Sequence, residues 1–255
     1  MSKLLEVKNL TKNYHDSPDS RDIIRNLNLT VNEGDFLCIL GPSGCGKTTL
    51  IRCIAGFEDY EGEVLIDGKP VREPGIDRMM VFQDFNQLYP WKTVKKNIQY
   101  PLKVNGLKDK EALEKIAQEH LELVGLADKG DLYPHQLSGG MKQRVAIARG
   151  LALNPKIILM DEPFASLDAM TRNKPQSELL RIKEKENATI IFITHNIQEA
   201  LVLSNRIVLM SKKGEIRIES ENNIEKPVTP ASEGYGQMWT LFNDALWQES
   251  EENEE

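Results

Sequence analysis

Residues 36–55 read FLCILGPSGCGKTTLIRCIA, and this stretch decides the fold. The apolar run Phe36–Leu40 is typical of a strand buried on both faces, and Lys47–Ala55 is predicted to be a helix. The loop between them fits G-x-x-x-x-G-K-[ST], in which backbone N–H groups cradle phosphates. A chance match in a Gly-rich turn is the alternative, and the strand–loop–helix context argues against it. The residues predicted to bind nucleotide here are Gly41, Pro42, Ser43, Gly44, Cys45, Gly46, Lys47, Thr48 and Thr49.

A second feature is the apolar strand predicted at Ile157–Met160, which runs into Asp161 and Glu162. A carboxylate at a strand end beside a phosphate loop suits Mg²⁺, which the Thr48 hydroxyl is also expected to ligate. Lys47 is expected to reach the β- and γ-phosphates, and Glu162 to accept a proton from the attacking water. Two acids often end a strand without catalysing anything, but the phosphate loop favours the catalytic interpretation.

The composition narrows the class of protein. The chain has 255 residues, 40% hydrophobic and 28% charged, as in ordinary globular proteins. Its formal net charge of −7 argues against a protein that binds nucleic acid through a basic face, so no nucleic-acid partner is expected. The cysteines Cys38, Cys45 and Cys53 lack metal-ligand spacing, and a reducing compartment fits them best. No apolar stretch approaches the ~20 residues of a transmembrane helix, and MSKLLEVKNL has no signal-peptide core. We therefore expect any membrane role to depend on a partner.

Hydrophobic periodicity along the rest of the chain predicts an α/β fold. Leu4–Val7 and Leu27–Val31 alternate as half-exposed antiparallel strands do, and further strands are predicted at Glu63–Ile66, Met79–Phe82 and Thr189–Ile193. Between Pro90 and Leu153 the period is helical, with an apolar stripe along Glu111–Val124. The order indicates a mostly parallel sheet flanked by helices, with a helical lobe inserted in the middle. A short helix is predicted at Trp239–Trp247, and ESEENEE at 249–255 is predicted to be a disordered tail.

A third motif, LSGGMKQR at residues 137–144, opens a helical segment rich in small residues. Ser138, Gly139 and Gly140 at a helix start offer a hydroxyl and backbone N–H groups, which suits a second anion site. In isolation, an N-cap serine followed by flexible glycines is the better interpretation. Together with the two motifs above, however, the chain resembles the ABC ATPase family, and LSGGMKQR is similar to that family's signature motif. The resemblance covers about Leu4 to Lys213.

This resemblance implies a fold and a set of cofactors. The fold is a P-loop NTPase (RecA-like) core with an antiparallel β subdomain and an inserted α-helical subdomain, and the cofactors are ATP and Mg²⁺. The ATPase domain is expected at residues 1–230, with a core lobe at about 1–88 and 154–215 and a helical lobe at about 89–153. Residues 231–255 are expected to form a short C-terminal helix and an acidic tail.

The resemblance also gives roles to residues that spacing alone does not mark. Tyr14 matches the aromatic that stacks on adenine, Gln83 the glutamine that joins the lobes and senses Mg²⁺ and water, and His195 the histidine that contacts the γ-phosphate. Residues 166–168, Ser-Leu-Asp, match the loop that crosses the dimer interface. A strand-end tyrosine, a buried glutamine, a structural histidine and a helix cap are the respective alternatives. The expected catalytic residues are Gln83, Glu162 and His195, and the expected metal ligands are Thr48, Gln83 and Asp161.

Partners follow from the same resemblance. Two copies would pair head to tail, with Lys47 and Glu162 of one copy facing Ser138 of the other across one ATP. Permease subunits and, indirectly, a solute-binding protein are the other expected partners, which puts the chain on the cytoplasmic face of the cell membrane as a peripheral subunit. Tyr89-Pro90-Trp91 lies where permeases dock and is similar to the importer branch for nitrate, sulfonates and taurine. Aromatic packing among the helices is the alternative for that segment. An exporter ATPase and a nucleotide-gated regulator are the alternative functions.

One segment departs from the family pattern. After Asp168 the chain reads AMTRNKPQSELLRIKEK, where relatives usually have an unbroken helix with leucine at the position of Pro175. A proline inside a helix lacks the N–H donor and clashes with the carbonyl four residues back, here that of Thr171, at a cost of roughly 3 kcal/mol. We therefore predict a break near Asn173–Lys174, with a regular helix from about Pro175 to Lys185.

Overall fold

The structure, a computed structural model, describes residues 2–14, 22–82, 87–165 and 169–251. The chain divides into two compact units, one formed by Met1–Gly75 with Thr189–Glu255 and the other by Ile76–Ala188. These bounds differ from the two lobes expected from the sequence, whose limits remain a prediction.

The first unit contains an antiparallel sheet made from the beginning of the chain. Its strands are β1 (Lys3–Lys12), β2 (Ile24–Asn32), β4 (Glu61–Ile66) and β5 (Lys69–Pro70), in the order β2-β1-β4-β5. Alternate residues of β1 and β2 are apolar and buried, and they pair across the strands as Leu5 with Val31 and Val7 with Leu29. This one-sided burial is the reason for the alternation seen in the sequence.

The same unit contains a second, largely parallel group of strands. It comprises β3 (Phe36–Leu40), β8 (Thr189–Ile193), β9 (Arg206–Met210) and β10 (Ile216–Glu221). β3 runs parallel to both β8 and β9, and β10 pairs antiparallel with β9. Every residue of β3 and β8 is buried, as expected for strands covered on both faces. The helices of this unit are α1 (Lys47–Ala55), α6 (Ile197–Leu203) and α7 (Tyr235–Glu251).

The second unit combines two parallel strands with four helices. The strands are β6 (Arg78–Val81) and β7 (Ile157–Asp161), and the helices are α2 (Val94–Val104), α3 (Lys110–Leu123), α4 (Gly139–Leu151) and α5 (Ala169–Glu186). Short 3₁₀ turns at Ala127–Lys129 and Pro134–Gln136 connect α3 to α4. None of the helices in the described ranges combines the length and the apolar character that crossing a membrane requires.

The predicted break before Pro175 is wrong, because α5 runs from Ala169 to Glu186 with Pro175 inside it. Proline removes one backbone hydrogen bond, but tertiary contacts hold the part of the helix that follows it. Leu179 and Ile182 are buried, and Arg181 Nη2 donates a 2.6 Å hydrogen bond to the carbonyl oxygen of Leu123. Burial of one helix face therefore outweighs the local cost of the proline.

The C-terminal helix is longer than predicted. α7 begins at Tyr235 and continues to Glu251, so the prediction of a disordered tail from Glu249 onward is wrong for its first residues. The Glu249 carboxylate is buried and accepts hydrogen bonds from the Lys212 backbone N–H at 2.8 Å and from Arg217 Nη1 at 2.5 Å. These bonds connect the end of the helix to the turn after β9 and to β10 itself. Residues 252–255 lie outside the described residues.

Candidate functional site

The phosphate loop joins β3 to α1 and leaves the helix N-terminus uncapped. Gly46 is the N-cap residue, with φ 96° in the left-handed region. A Cβ at Gly46 would lie 2.9 Å from the carbonyl oxygen of Ile23, so the position requires glycine. No side chain caps α1 and no acidic residue occupies its first turn. The partial positive charge of the helix end is therefore not compensated by a carboxylate of the helix, which suits an anionic ligand.

Lys47 lies inside the curve of this loop. Its side chain is buried, and Nζ donates hydrogen bonds to the carbonyl oxygens of Gly41 at 2.8 Å and Pro42 at 2.9 Å. Nζ also lies 3.9 Å from Cys45 Sγ. Carbonyl contacts satisfy the donors of a buried ammonium but do not neutralise its charge. The loop thus holds a net positive charge next to an uncapped helix end.

The thiol in the loop adds no charge of its own. Burial raises the pKa of Cys45, and the nearby Lys47 ammonium only partly opposes that rise. Burial likewise raises the pKa of Cys38, on β3, and raises that of Cys53, on α1, to about 12. All three cysteines are free and buried. At neutral pH they act as apolar packing around the loop.

Asp161 and Glu162 lie at the carboxyl end of β7. Asp161 is the last residue of the strand and is buried, and Glu162 is half-buried. Glu162 has φ 42°, a left-handed conformation that non-glycine residues adopt rarely. Its carbonyl oxygen accepts a 3.1 Å hydrogen bond from the Ala165 N–H, which closes a turn after the strand. Strain of this kind, on the order of 1–3 kcal/mol, concentrates at functional sites.

Ser138 is the N-cap residue of α4, as its motif predicts. Its Oγ accepts a 3.4 Å hydrogen bond from the Met141 N–H, and the residue is exposed. The first turn of α4, which contains Gly139 and Gly140, has no acidic residue. The N-terminus of α3, in contrast, is capped by the Asp109 carboxylate. Like α2, α4 begins with a capping hydroxyl and no acidic residue in its first turn, and in α4 this hydroxyl is exposed, which suits an anion.

His195 is exposed and lies two residues after the end of β8, and its two neighbours are fixed by hydrogen bonds. Thr194 Oγ1 donates to the buried Glu199 carboxylate at 2.6 Å and accepts from the Asn196 N–H at 3.1 Å. The Glu199 N–H donates to the Asn196 side chain at 3.3 Å. Sequence reasoning missed this network. The signal was present, because Asn196 and Glu199 have the spacing of a helix-capping pair.

Several of the predicted residues are brought to one sheet edge. β3 and β8 are adjacent and parallel, so the phosphate loop after β3 and His195 after β8 follow strand ends on the same side. Tyr14, just beyond β1, is 42% exposed, and its ring lies 4.7 Å from Lys12 Nζ. Asp161, Glu162 and Ser138 belong to the second unit. Gln83 and residues 166–168 lie outside the described residues.

An aromatic cluster, Tyr89, Trp91 and Tyr100, lies at the start of the helices of the second unit. The ring centroids of Tyr89 and Tyr100 are 4.8 Å apart, and those of Tyr89 and Trp91 are 5.6 Å apart. Lys92 Nζ lies 4.5 Å from the Tyr100 centroid, and the Arg149 guanidinium of α4 lies 5.8 Å from that of Tyr89. Trp91 is 71% exposed, so the alternative that it packs among the helices is wrong.

Comparison with known proteins gives the family. The family model described as "ABC transporter" matches residues 24–165. An uncharacterized ABC transporter ATP-binding protein of Methanocaldococcus jannaschii is 50% identical, over 89% of this chain and 85% of that protein. An aliphatic sulfonates import ATP-binding protein of Bacillus thuringiensis subsp. konkukian is 42% identical, over 92% of this chain and 93% of the relative.

Solved structures agree with this result. A dimeric ATP-binding cassette in a post-hydrolysis state, bound to ADP and Pi, superposes with a TM-score of 0.75 at 36% identity. The match covers 86% of this chain and 99% of that one. The α/β fold predicted from the sequence is thereby confirmed. On the sequence match, the identities and the superposition together, the chain belongs to the ABC transporter family.

Proposed function

We propose that this chain binds and hydrolyses ATP to drive a transporter whose membrane-spanning subunits are separate chains. As a member of its family, the chain is an ABC-type ATPase subunit. The observation that carries the proposal is the phosphate loop, where the buried Lys47 ammonium lies beside the uncapped N-terminus of α1. A triphosphate supplies the negative charge that this arrangement lacks.

The metal that accompanies ATP is Mg²⁺ in this proposal, with Thr48, Gln83 and Asp161 as protein ligands. Their donors are a hydroxyl, an amide carbonyl and a carboxylate, the oxygen ligands that Mg²⁺ prefers. The described part of the chain contains no group of three or more His, Cys, Asp or Glu that could hold a metal. That composition suits Mg²⁺, which keeps several waters and binds substrate phosphates. When bound, it would neutralise charge that develops on the transferred phosphoryl group.

The remaining residues divide the chemistry of hydrolysis among them. Lys47 compensates the charge of the β- and γ-phosphates, and His195 contacts the γ-phosphate from the neighbouring strand end. Glu162 orients the attacking water and accepts its proton, and Gln83 senses that water and the metal. Tyr14 stacks on adenine. The left-handed backbone of Glu162 supports its assignment, because strain kept at a strand end calls for a functional reason.

Two copies of the chain complete each ATP site in this proposal. The exposed Ser138 hydroxyl, with Gly139 and Gly140, would contact the γ-phosphate of ATP held by the loop of the other copy. Each copy carries the lysine of the phosphate loop at the start of α1 and, separately, the Ser-Gly-Gly start of α4, neither with an acidic residue in its first turn, which supports a site shared between copies. The dimeric relative bound to ADP and Pi supports the pairing of two copies.

Mixing two inactive variants tests the shared site. Lys47→Ala and Ser138→Arg disable different halves, so a head-to-tail mixed dimer should regain one intact site. ATP turnover should therefore appear in the mixture and not in either variant alone. The matched control mixes Lys47→Ala with the double variant Lys47→Ala/Ser138→Arg, a pair that has no intact site. Turnover no higher in the first mixture than in the control would contradict the proposal.

The aromatic cluster is the proposed docking surface for the permease. Trp91 exposes a large apolar side chain to solvent, which is typical of an interaction site. The cluster is also tied to α4, since Arg149 Nη1 donates a 2.7 Å hydrogen bond to the Gln87 carbonyl and its guanidinium lies over Tyr89. Because Ser138 is the N-cap residue of α4, a shift of the anion site would be transmitted to the docking surface.

Uptake of a small anion, such as an aliphatic sulfonate, is the proposed transport activity, with a solute-binding protein as an indirect partner. The sulfonate-import relative at 42% identity supports it. The location would be peripheral, on the cytoplasmic face of the membrane. An exporter ATPase is the second candidate, since its ATP site is the same. A regulator that binds ATP without hydrolysing it is disfavoured by the presence of Glu162 and His195.

A docking variant tests this part of the proposal. Trp91→Ala should weaken co-purification with the permease and sulfonate uptake into proteoliposomes, while ATP affinity stays unchanged. Tyr133→Ala removes another exposed aromatic of the same unit, 40% exposed, and serves as the control. Normal assembly and uptake with Trp91→Ala would contradict the docking assignment.

A further inference from the structure

Lys12, the last residue of β1, lies between a carboxylate and an aromatic ring. Its Nζ is 3.3 Å from Glu58 Oε2 and 4.7 Å from the centroid of the Tyr14 ring. The Lys12 side chain is only 11% exposed, and Arg52 Nη1 lies 3.9 Å from the other Glu58 oxygen. The ammonium is therefore confined, and it covers one face of Tyr14.

The surroundings of Tyr14 provide room for a planar ligand. A cavity of about 460 Å³ is lined by Tyr14 together with Lys12, Asn13, Asp59 and Tyr60. Its volume lies within the range of small-molecule sites, ~300–1,000 Å³. The Tyr60 hydroxyl donates a 2.5 Å hydrogen bond to the Val71 carbonyl, which fixes that wall. Tyr14 itself remains 42% exposed, so part of the ring is available to a ligand.

We propose that Lys12 is a positioning residue for the nucleotide base. Its ammonium occupies one face of the Tyr14 ring, which leaves the opposite face for adenine, and the inference rests on the proposed ATP site. A cation on one face draws ring electrons toward itself, which reduces the repulsion between the other face and the π electrons of a stacked base. The contact also restricts the ring before binding, so less conformational freedom is lost when the base stacks.

The triphosphate without a base separates this role from a general charge effect. Replacing Lys12 by a neutral residue removes one positive charge and leaves Glu58 paired only with Arg52, so a long-range effect of that change would act on the phosphates. If Lys12 acts through the Tyr14 ring and the base, a ligand with the triphosphate but no base should be insensitive to it. A charge effect at long range would instead weaken both ligands alike.

The test compares ATP with inorganic tripolyphosphate by isothermal titration calorimetry. Lys12→Met should weaken ATP binding about two- to fivefold, the size expected for a cation–π contact at a partly exposed ring, and leave tripolyphosphate binding unchanged. Lys12→Arg should restore ATP affinity. Lys8→Met is the matched control, because Lys8 lies on the same strand and pairs with Glu6 at 3.5 Å. In a Tyr14→Ala background, Lys12→Met should have no further effect.

Three results would overturn the inference: unchanged ATP affinity in Lys12→Met, equal weakening of both ligands, or an undiminished effect in the Tyr14→Ala background. Tripolyphosphate binding also reports an intact loop in each variant, and Lys12→Gln provides a second neutral replacement if Lys12→Met fails to fold. A wild-type chain that binds no ATP would overturn the proposed function, and this inference with it. Normal wild-type binding with an unaffected Lys12→Met variant would overturn the inference alone.

Discussion

Replacing Pro175 with alanine should stabilise the protein, although it removes a half-buried side chain. The proline is the seventh residue of α5 and has no N–H to donate to the carbonyl of Thr171. Alanine would restore that donor and remove the ring that crowds the preceding turn. The substitution lies outside the residues proposed to bind ATP.

The size of the effect follows from three contributions. Proline costs roughly 3 kcal/mol relative to alanine in a helix interior. Against this, proline restricts the conformations of the unfolded chain, and losing that restriction lowers stability by about 0.4–1 kcal/mol. The ring carries two more methylene groups than alanine, and their half-burial, beside Gly140, is worth about 0.8 kcal/mol. The net gain is about 1–2 kcal/mol, or roughly 2–8 °C in melting temperature.

Thermal melting followed by circular dichroism measures this gain. Glu184→Ala is the control, since Glu184 is an exposed residue of the same helix and its replacement should change stability by less than about 0.5 kcal/mol. A melting temperature that is unchanged or lower in Pro175→Ala, while Glu184→Ala melts like the wild type, would contradict this prediction. The ring would then contribute more through packing than the missing hydrogen bond costs.

Three further predictions concern packing, the histidine loop and the thiols. Gly150→Ala should lower the urea midpoint, by about 1–3 kcal/mol in unfolding free energy, because its Cβ would lie 1.8 Å from the buried Met79 Sδ; a higher midpoint would contradict this. Thr194→Val, which removes the hydrogen bond to Glu199, should lower the ATP turnover rate more than ATP affinity, and unchanged turnover would show that the network does not hold the loop. Burial raises the pKa of Cys53 from its ordinary value of 9.0 to about 12. The protonated Cys53 thiol therefore contributes fully to the free energy of unfolding below about pH 9, and this contribution is lost as the pH rises from about 9 to about 12. Iodoacetamide at pH 8 should therefore label Cys53 only after denaturation, as mass spectrometry would show.

The phosphate loop and its flanking elements were predictable almost residue by residue. Phe36–Leu40 forms the predicted strand, and α1 begins at Lys47 as predicted. The loop between them was recognisable because its conformation includes left-handed φ angles, as at Gly46, and glycine adopts these without strain. The sequence of a parallel strand that is buried on both faces is a continuous apolar run. This is why the predicted strand Thr189–Ile193 has the same bounds as the observed β8. In these segments, local sequence and tertiary environment favour the same conformation.

The sequence was a poor guide where a distant contact decides the conformation. The helix around Pro175 persists because of contacts such as that between Arg181 and the Leu123 carbonyl, 58 positions away. Glu249 reads as part of a charged tail, but it becomes buried by bonding to Lys212 and Arg217. The left-handed Glu162 has no local signature, since glutamate has no preference for that conformation. For Pro175 and Glu249, a tertiary contact overrides local propensity.

ATP turnover by Glu162→Gln tests whether Glu162 is the general base of an ATPase. This variant should bind ATP with affinity close to wild type but release phosphate at least ~100-fold more slowly, the typical loss when a general base is removed. Light scattering should then show an ATP-dependent dimer, because the ligand that bridges two copies is no longer hydrolysed. Phosphate release near the wild-type rate would show that Glu162 is not the base, and the catalytic site would have to be reassigned.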